Sequence, residues 1–314
     1  MIRPILIDCD PGQDDALALL LALASPDELQ VLAVSAVAGN VPLPLTERNA
    51  RQIVELSGRR DVPVHAGSPR PLVRPLITAE YVHGETGLDG ADLPPPARPL
   101  APGHAVDAIV DILREHPSGS VTLCPTGPLT NIALALIKAP DIAPRIREIV
   151  LMGGAIGLGN TTPAAEFNIF VDPHAARVVF EAGVPLVMCG VDVTHQALVT
   201  GERLEAISSL GTPVSRVVVG LLEFYNRYDQ TREGRAGAPL HDPCVIAYLL
   251  QPDLFTGRRC HVAIETTGEH TLGRTVVDWH GRLGRAPNAL VLGGIDADGF
   301  FALLTARLAR LPLA

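Results

Sequence analysis

Short apolar runs of strand length alternate along the chain with longer segments whose apolar residues recur at helical spacing. The pattern predicts strands at Ile2–Cys9, Leu29–Val37, Val62–His65, Val121–Cys124, Ile149–Met152 and Pro185–Cys189. Between them it predicts helices at Asp14–Ala24, Thr46–Leu56, His104–Glu115, Leu129–Lys138 and Pro173–Ala182. Ser25-Pro26 and Gly58 are stop signals, Thr46 is a candidate cap, and Pro173 suits a first helical turn. Strict alternation of this kind argues for an α/β, Rossmann-like fold with a mostly parallel central sheet and helices on both faces. The last third is less regular. It reads as helices at Val214–Tyr228, Asp242–Leu250 and Asp296–Leu308, plus a strand pair at Arg259–Glu265 and Thr275–Asp278. We expect a single domain over 1–314 with an elaborated C-terminal part. The stretch Gly67–Gly103 is long and proline-rich, and loops of that length are usually functional.

Composition narrows the function class. The chain has 314 residues, enough for a substantial core, and 47% apolar against 19% charged residues excludes a disordered chain. The most apolar run, Ala16–Ala24, is too short to cross a bilayer, and acids stand where an export signal needs its apolar centre. A cytoplasmic protein is the expectation. A net charge of −9 without any basic run disfavours nucleic acid and anionic membrane as partners. Five widely spaced cysteines with no CxxC read as buried, reduced thiols.

The strongest chemical signal is Asp8-Cys-Asp-Pro-Gly-Gln-Asp-Asp15, with four carboxylates at a strand end and the turn after it. Helix capping accounts for Asp14 or Asp15 but not for Asp8 and Asp10 as well. Like charges this close repel, and a hard divalent cation such as Ca²⁺ or Mg²⁺ removes that cost. The other predicted strands end at Asn40, Thr126, Met152 and Asp192. In open α/β sheets such ends converge on one crevice. The glycines of 153–159 match neither GxGxxG nor a P-loop. The same segment supplies Asn160, Glu166 and Asn168, which suit a polyol, with Phe167 available to stack on a flat group. Asp242 is either a helix cap or a further metal carboxylate, with His241 beside it as a titratable group. His83 lies among glycines that suggest a bending lid. Tyr225 and Tyr228 are either amphipathic packing or hydrogen-bonding partners of a ligand.

Taken together these segments resemble the calcium-dependent nucleoside hydrolases. The N-terminal pattern is Asp8-Cys-Asp-Pro-Gly-Gln-Asp-Asp-Ala16. It is followed in order by Thr126-Gly-Pro, Met152-Gly-Gly, Pro163-Ala-Ala-Glu-Phe-Asn168, Val171-Asp-Pro and His241-Asp-Pro. The detail of Val82-His-Gly-Glu-Thr-Gly-Leu-Asp-Gly90 and Gly237-Ala-Pro-Leu-His-Asp-Pro243 is most similar to the bacterial pyrimidine-preferring ribonucleoside hydrolases. The resemblance implies cleavage of an N-glycosidic bond through an oxocarbenium-like state. It implies Ca²⁺ held by Asp10, Asp15, the Thr126 carbonyl and Asp242, with Asp10 also the base for the attacking water. Asp14, Asn40, Asn160, Glu166 and Asn168 would hold the ribose hydroxyls, with Met152 beside the sugar. Phe167, His83 and His241 would surround the base, either histidine being able to protonate it. Tyr225, Tyr228 and the charged loop Asp229–Arg235 would border the base and set which one fits. A homodimer or homotetramer is implied as well.

Three rivals remain. A purine-preferring or non-specific hydrolase differs only in the base released. A haloacid-dehalogenase-like phosphatase also has Asp-x-Asp after its first strand, but usually carries Thr or Val where Gly12 stands. A non-catalytic nucleoside-binding protein would leave its ligand intact.

Overall fold

The computed structural model describes residues 2–228, 231, 234 and 236–311. Its first half runs β1 (Arg3–Cys9), α1 (Gln13–Leu23), β2 (Leu29–Ala36), α2 (Leu43–Leu56), β3 (Val64–Ala66), α3 (Glu80–His83), α4 (Ala105–Glu115), β4 (Val121–Pro125), α5 (Thr130–Lys138) and β5 (Ile146–Met152). Next come α6 (Phe167–Val171), α7 (Pro173–Glu181), β6 (Leu186–Cys189), α8 (Val191–Thr194), α9 (Gly201–Ser208), α10 (Pro213–Tyr228) and α11 (Pro243–Leu250). The chain closes with β7 (Phe255–Cys260), β8 (Val262–Ile264), β9 (Thr275–Val277), β10 (Ala289–Ile295) and α12 (Ala297–Leu308).

The main sheet has eight strands in the order β3-β2-β1-β4-β5-β6-β10-β7. All neighbours are parallel except β10 and β7. The α/β reading therefore holds. Strand β1 shows how the sheet is buried on both sides. Ile5, Ile7 and Cys9 enter one apolar core and Leu6 the other, as the twofold alternation of a strand requires. Every residue of α1 is buried. It packs on the sheet and is itself covered by α11, α2, α10 and α12. That explains the unbroken apolar run Ala16–Ala24, since a helix enclosed on all sides needs no polar face. No described helix is long and apolar enough to cross a membrane.

The chain departs from β1 toward β2 and β3, then returns to place β4 on the other side of β1. Loops leaving β1 and β4 diverge there and open a crevice at their C-terminal ends. Asp10 follows β1 and Thr126 follows β4, so the topology alone brings them together.

Three details differ from expectation. Helix α2 begins at Leu43, with Pro44 in its first turn, and Thr46 lies inside it, donating to the Leu43 carbonyl at 3.2 Å rather than capping. The expected strand pair forms as β8 with β9, but its first strand starts at Val262, because Arg259 and Cys260 belong to Phe255–Cys260, the antiparallel edge of the main sheet. Strand β10, between β6 and β7, and helix α9 carry no expectation from the pattern. Leu20 has no exposure in the middle of α1. Leu20→Ala should lower the free energy of unfolding by about 2–5 kcal/mol in a urea titration, because the enclosed site cannot collapse onto the void.

Candidate active site

Asp10, Asp14, Asp15 and Asp242 converge where the loops after β1 and β4 meet the start of α11, and all four are buried. Carboxylate oxygens of Asp14, Asp15 and Asp242 lie within 4.8 Å of one another. The sharp turn at Pro11-Gly12 starts α1 and aims its first acids back at the sheet. Asp15 is held by the Gly12 amide at 3.1 Å, Asn40 Nδ2 at 3.2 Å and Thr126 Oγ1 at 2.8 Å. Asp10 Oδ2 accepts from the Asn40 amide at 2.7 Å, and Asn40 Nδ2 donates to the Asp10 carbonyl at 3.0 Å. Asp242 sits at the N-cap of α11 but makes no capping hydrogen bond. Its carboxyl lies instead among those of Asp14 and Asp15, whose charges add to burial in raising it.

Burial, then mutual repulsion, pushes these acids up. Asp14 rises to about 7, and Asp10 and Asp242 rise well above the usual carboxylate range. Among the described residues no lysine or arginine pairs with any of the four. Asp10 Oδ1 and Asp14 Oδ1 are buried without a hydrogen-bond partner among the described residues. Such a cluster is stable at neutral pH only with protons or a cation in it. The donor set is all hard oxygen. Cys9 and Cys244 are close by, but they turn to the carbonyls of Ser35 and Leu240, and burial keeps them as thiols. The residues therefore fit a hard divalent cation. Asp8 stands apart, held by Ser35 Oγ and by Asn131 Nδ2.

Above the acids lies a cavity of about 180 Å³. Its walls bring together nearly every residue singled out from the sequence: Asp14, Asn40, His83, Thr126, Met152, Asn160, Glu166, Phe167, Asn168, Tyr225, Tyr228, His241 and Asp242. Asp10 and Asp15 lie one layer behind, bonded to Asn40 and Thr126. Glu166 caps α6 through the Asn168 and Ile169 amides and also accepts from Gly154, while burial pushes it up to about 7. Asn168 Nδ2 bridges the carbonyls of Thr126 at 2.6 Å and Met152 at 3.2 Å. Asn160 Oδ1 receives the Phe167 amide at 3.0 Å. The far end is aromatic. His83 stacks on Tyr225 with ring centroids 5.6 Å apart, and Tyr81 leans on Tyr228 at 5.7 Å. His241 Nδ1 lies 2.6 Å from Thr194 Oγ1, and its ring is 5.6 Å from that of His195.

The model of the inosine-uridine preferring nucleoside hydrolase family matches residues 5–302. The chain belongs to that family. It is 52% identical over 305 residues to the pyrimidine-specific ribonucleoside hydrolase RihA of Shewanella woodyi, covering 97% of each chain. It is 51% identical over 310 residues to the same-named protein of Citrobacter koseri, covering 98% of this chain and 99% of that one. Among solved structures, the purine-preferring ribonucleoside hydrolase from Gardnerella vaginalis superposes with a TM-score of 0.91 at 32% identity, covering 98% of both chains. This nucleoside hydrolase is thus an enzyme acting on the N-glycosyl bond of ribonucleosides, and the phosphatase alternative falls away.

In this nucleoside hydrolase one strand-end residue does not join the crevice. Asp192 accepts from the Ile156 amide at 2.5 Å and the Gly157 amide at 3.1 Å, and so shapes the loop after β5. Residues 229, 230, 232, 233 and 235, in the charged loop expected to border the base, lie outside the described residues. Tyr81 and His195 also line the cavity, unsignalled by any motif. Gln13, between the acids, carries no motif signal of its own.

Asp8 and Asp14 move from 3.8 to about 7 on folding. A raised folded value favours the protonated protein, so their stabilisation is complete below about pH 4 and is lost as pH rises to about 7. The metal-free enzyme should therefore show a stabilisation by added divalent cation that grows between pH 5 and pH 8. Melting curves with and without chelator test this, and a cation-induced shift independent of pH would contradict it.

Proposed function

We propose that the chain hydrolyses pyrimidine ribonucleosides, uridine and cytidine, to ribose and free base with Ca²⁺ as its metal. One observation carries the reading: a buried all-oxygen acid cluster floors a cavity whose walls pass from polyol-binding amides and Glu166 to an aromatic end. The pyrimidine preference is supported by relatives of that printed specificity at 52% identity, against 32% for the purine-preferring structure.

We assign the Ca²⁺ ligands to Asp10, Asp15, the Thr126 carbonyl and Asp242. When bound, the ion would supply positive charge that orients a water and two ribose hydroxyls and acidifies that water. Asp10 is the general base. Asn40 occupies its Oδ2, leaving Oδ1 without a partner among the described residues and so able to take the proton. Asp14, Asn40, Asn160, Glu166 and Asn168 bind the ribose, with Met152 packed beside it. As the glycosidic bond breaks the sugar gains positive charge, and the buried carboxylates around it stabilise that charge. Phe167, Tyr225 and Tyr228 flank the base. We assign delivery of the proton to the departing base to His241, because burial pushes His83 down to about 3 and keeps it neutral. Residues 1–314 act as one catalytic domain, as a homodimer or homotetramer in the cytoplasm.

Purified enzyme should release ribose from uridine and cytidine faster than from inosine or adenosine. Chelation by EGTA should abolish release. Asp10→Asn should lower kcat by about 10²–10⁴-fold, the usual worth of a positioned base. Inosine ranking first would replace the pyrimidine reading. Tight uridine binding without ribose would leave only a binding protein.

A further inference from the structure

The assignment above leaves Gln13 without a role, although its side chain is wholly buried at the start of α1. Its amide nitrogen donates to two backbone carbonyls, that of His83 at 2.9 Å and that of Asp89 at 3.1 Å. Carbonyl oxygens only accept, so the amide cannot be turned the other way round. Its oxygen Oε1 must then be the atom facing His83 Nδ1, 2.7 Å away. An amide oxygen has no proton to offer, so Nδ1 carries one and donates it. The ring is neutral, because burial holds His83 near 3. Its single proton is therefore on Nδ1, and Nε2 is a bare lone pair.

The ring has little freedom to turn. Tyr225 stacks against it, and Gly12 packs so closely that a Cβ there would stand 2.4 Å from Nδ1. Nε2 has no hydrogen-bond partner among the described residues and is not sealed into the protein, and His83 lines the cavity. Nε2 is thus the atom that the ring presents to a ligand.

We propose that Gln13 is a positioning residue that locks His83 as a hydrogen-bond acceptor for an N–H group of the substrate base. The proposal rests on the reading that His83 borders the base. An acceptor at that place selects bases with a donor on the facing edge. Uracil offers its ring N–H and cytosine its amino group, whereas a base alkylated on that nitrogen offers nothing. The lock also removes His83 from proton delivery, which leaves that step to His241.

Nitrogen NMR of the Ca²⁺-loaded enzyme labelled at histidine tests the lock directly, with His83→Asn identifying the signal. The expected result is a protonated Nδ1 and an unprotonated Nε2 on His83 in the wild type. Gln13→Met removes the acceptor and should move the proton to Nε2. Gln13→Glu keeps an oxygen opposite the ring and should retain the Nδ1 proton. A wild-type His83 protonated on Nε2, or a Gln13→Met signal unchanged from it, overturns the lock. The acceptor role is read from uridine against 3-methyluridine. Wild-type kcat/KM should fall by about tenfold on methylation, the worth of one hydrogen bond. In Gln13→Met that ratio should collapse toward one. A ratio that survives the substitution means a steric effect of the methyl group and overturns the acceptor role. If no nucleoside yields ribose, the hydrolase reading fails by itself, and the NMR result still decides the lock.

Discussion

Several carboxylates are held out of water at one point of the sheet, and among the described residues no lysine or arginine pairs with them. That constraint organises the molecule. Burying one unpaired carboxylate is costly, and burying several together is tolerable only if protons or a metal ion share the site. Everything near Asp10 is arranged to hold it there. Gly39 and Gly127 close on it from the ends of β2 and β4, and a Cβ at either would lie 2.0 Å or 2.4 Å from an Asp10 oxygen. The strand ends can converge on this acid because they arrive as backbone alone.

The cavity continues the same logic away from its floor. Near the acids the walls are amides and a carboxylate that are already engaged by backbone groups, and so are fixed before any ligand arrives. Fixed dipoles need no rearrangement as charge develops, which is where an enzyme gains most over water. Farther out the walls are rings, stacked in pairs, whose geometry suits a flat group. In the proposed assignment one end answers to a sugar that becomes positive and the other to an aromatic base that leaves.

Much of this was legible in the chain. The acids between Asp8 and Asp15 cannot all be helix caps, and the parallel-sheet pattern obliges Asn40, Thr126 and Met152 to meet them. Asp242 was ambiguous because a capping acid and a cavity acid look alike in sequence; only its orientation separates them. Other parts had no local signal. In strand β10 the apolar run is only Ala289–Leu292 before Gly293-Gly294 interrupt it, and β7 is polar because one of its sides has no neighbour. Gln13 and Tyr81 owe their places to hydrogen-bond partners 70 to 80 residues away, and His195 packs its ring against that of His241. A glutamine between aspartates reads as solvated surface until the loop it holds is seen.

The antiparallel strand β7 has a further consequence. It ends the sheet on one side with four consecutive exposed residues, including Arg258 and Arg259. On the other side β3 is only three residues long, and the chain folds back over it, with the Ala101 amide bonded to the Val64 carbonyl at 2.8 Å. Charge guards one margin and a strap of backbone the other, so neither offers a clean template on which another strand could grow. Both margins are thus blunted against extension, and the sheet is finished within a single chain.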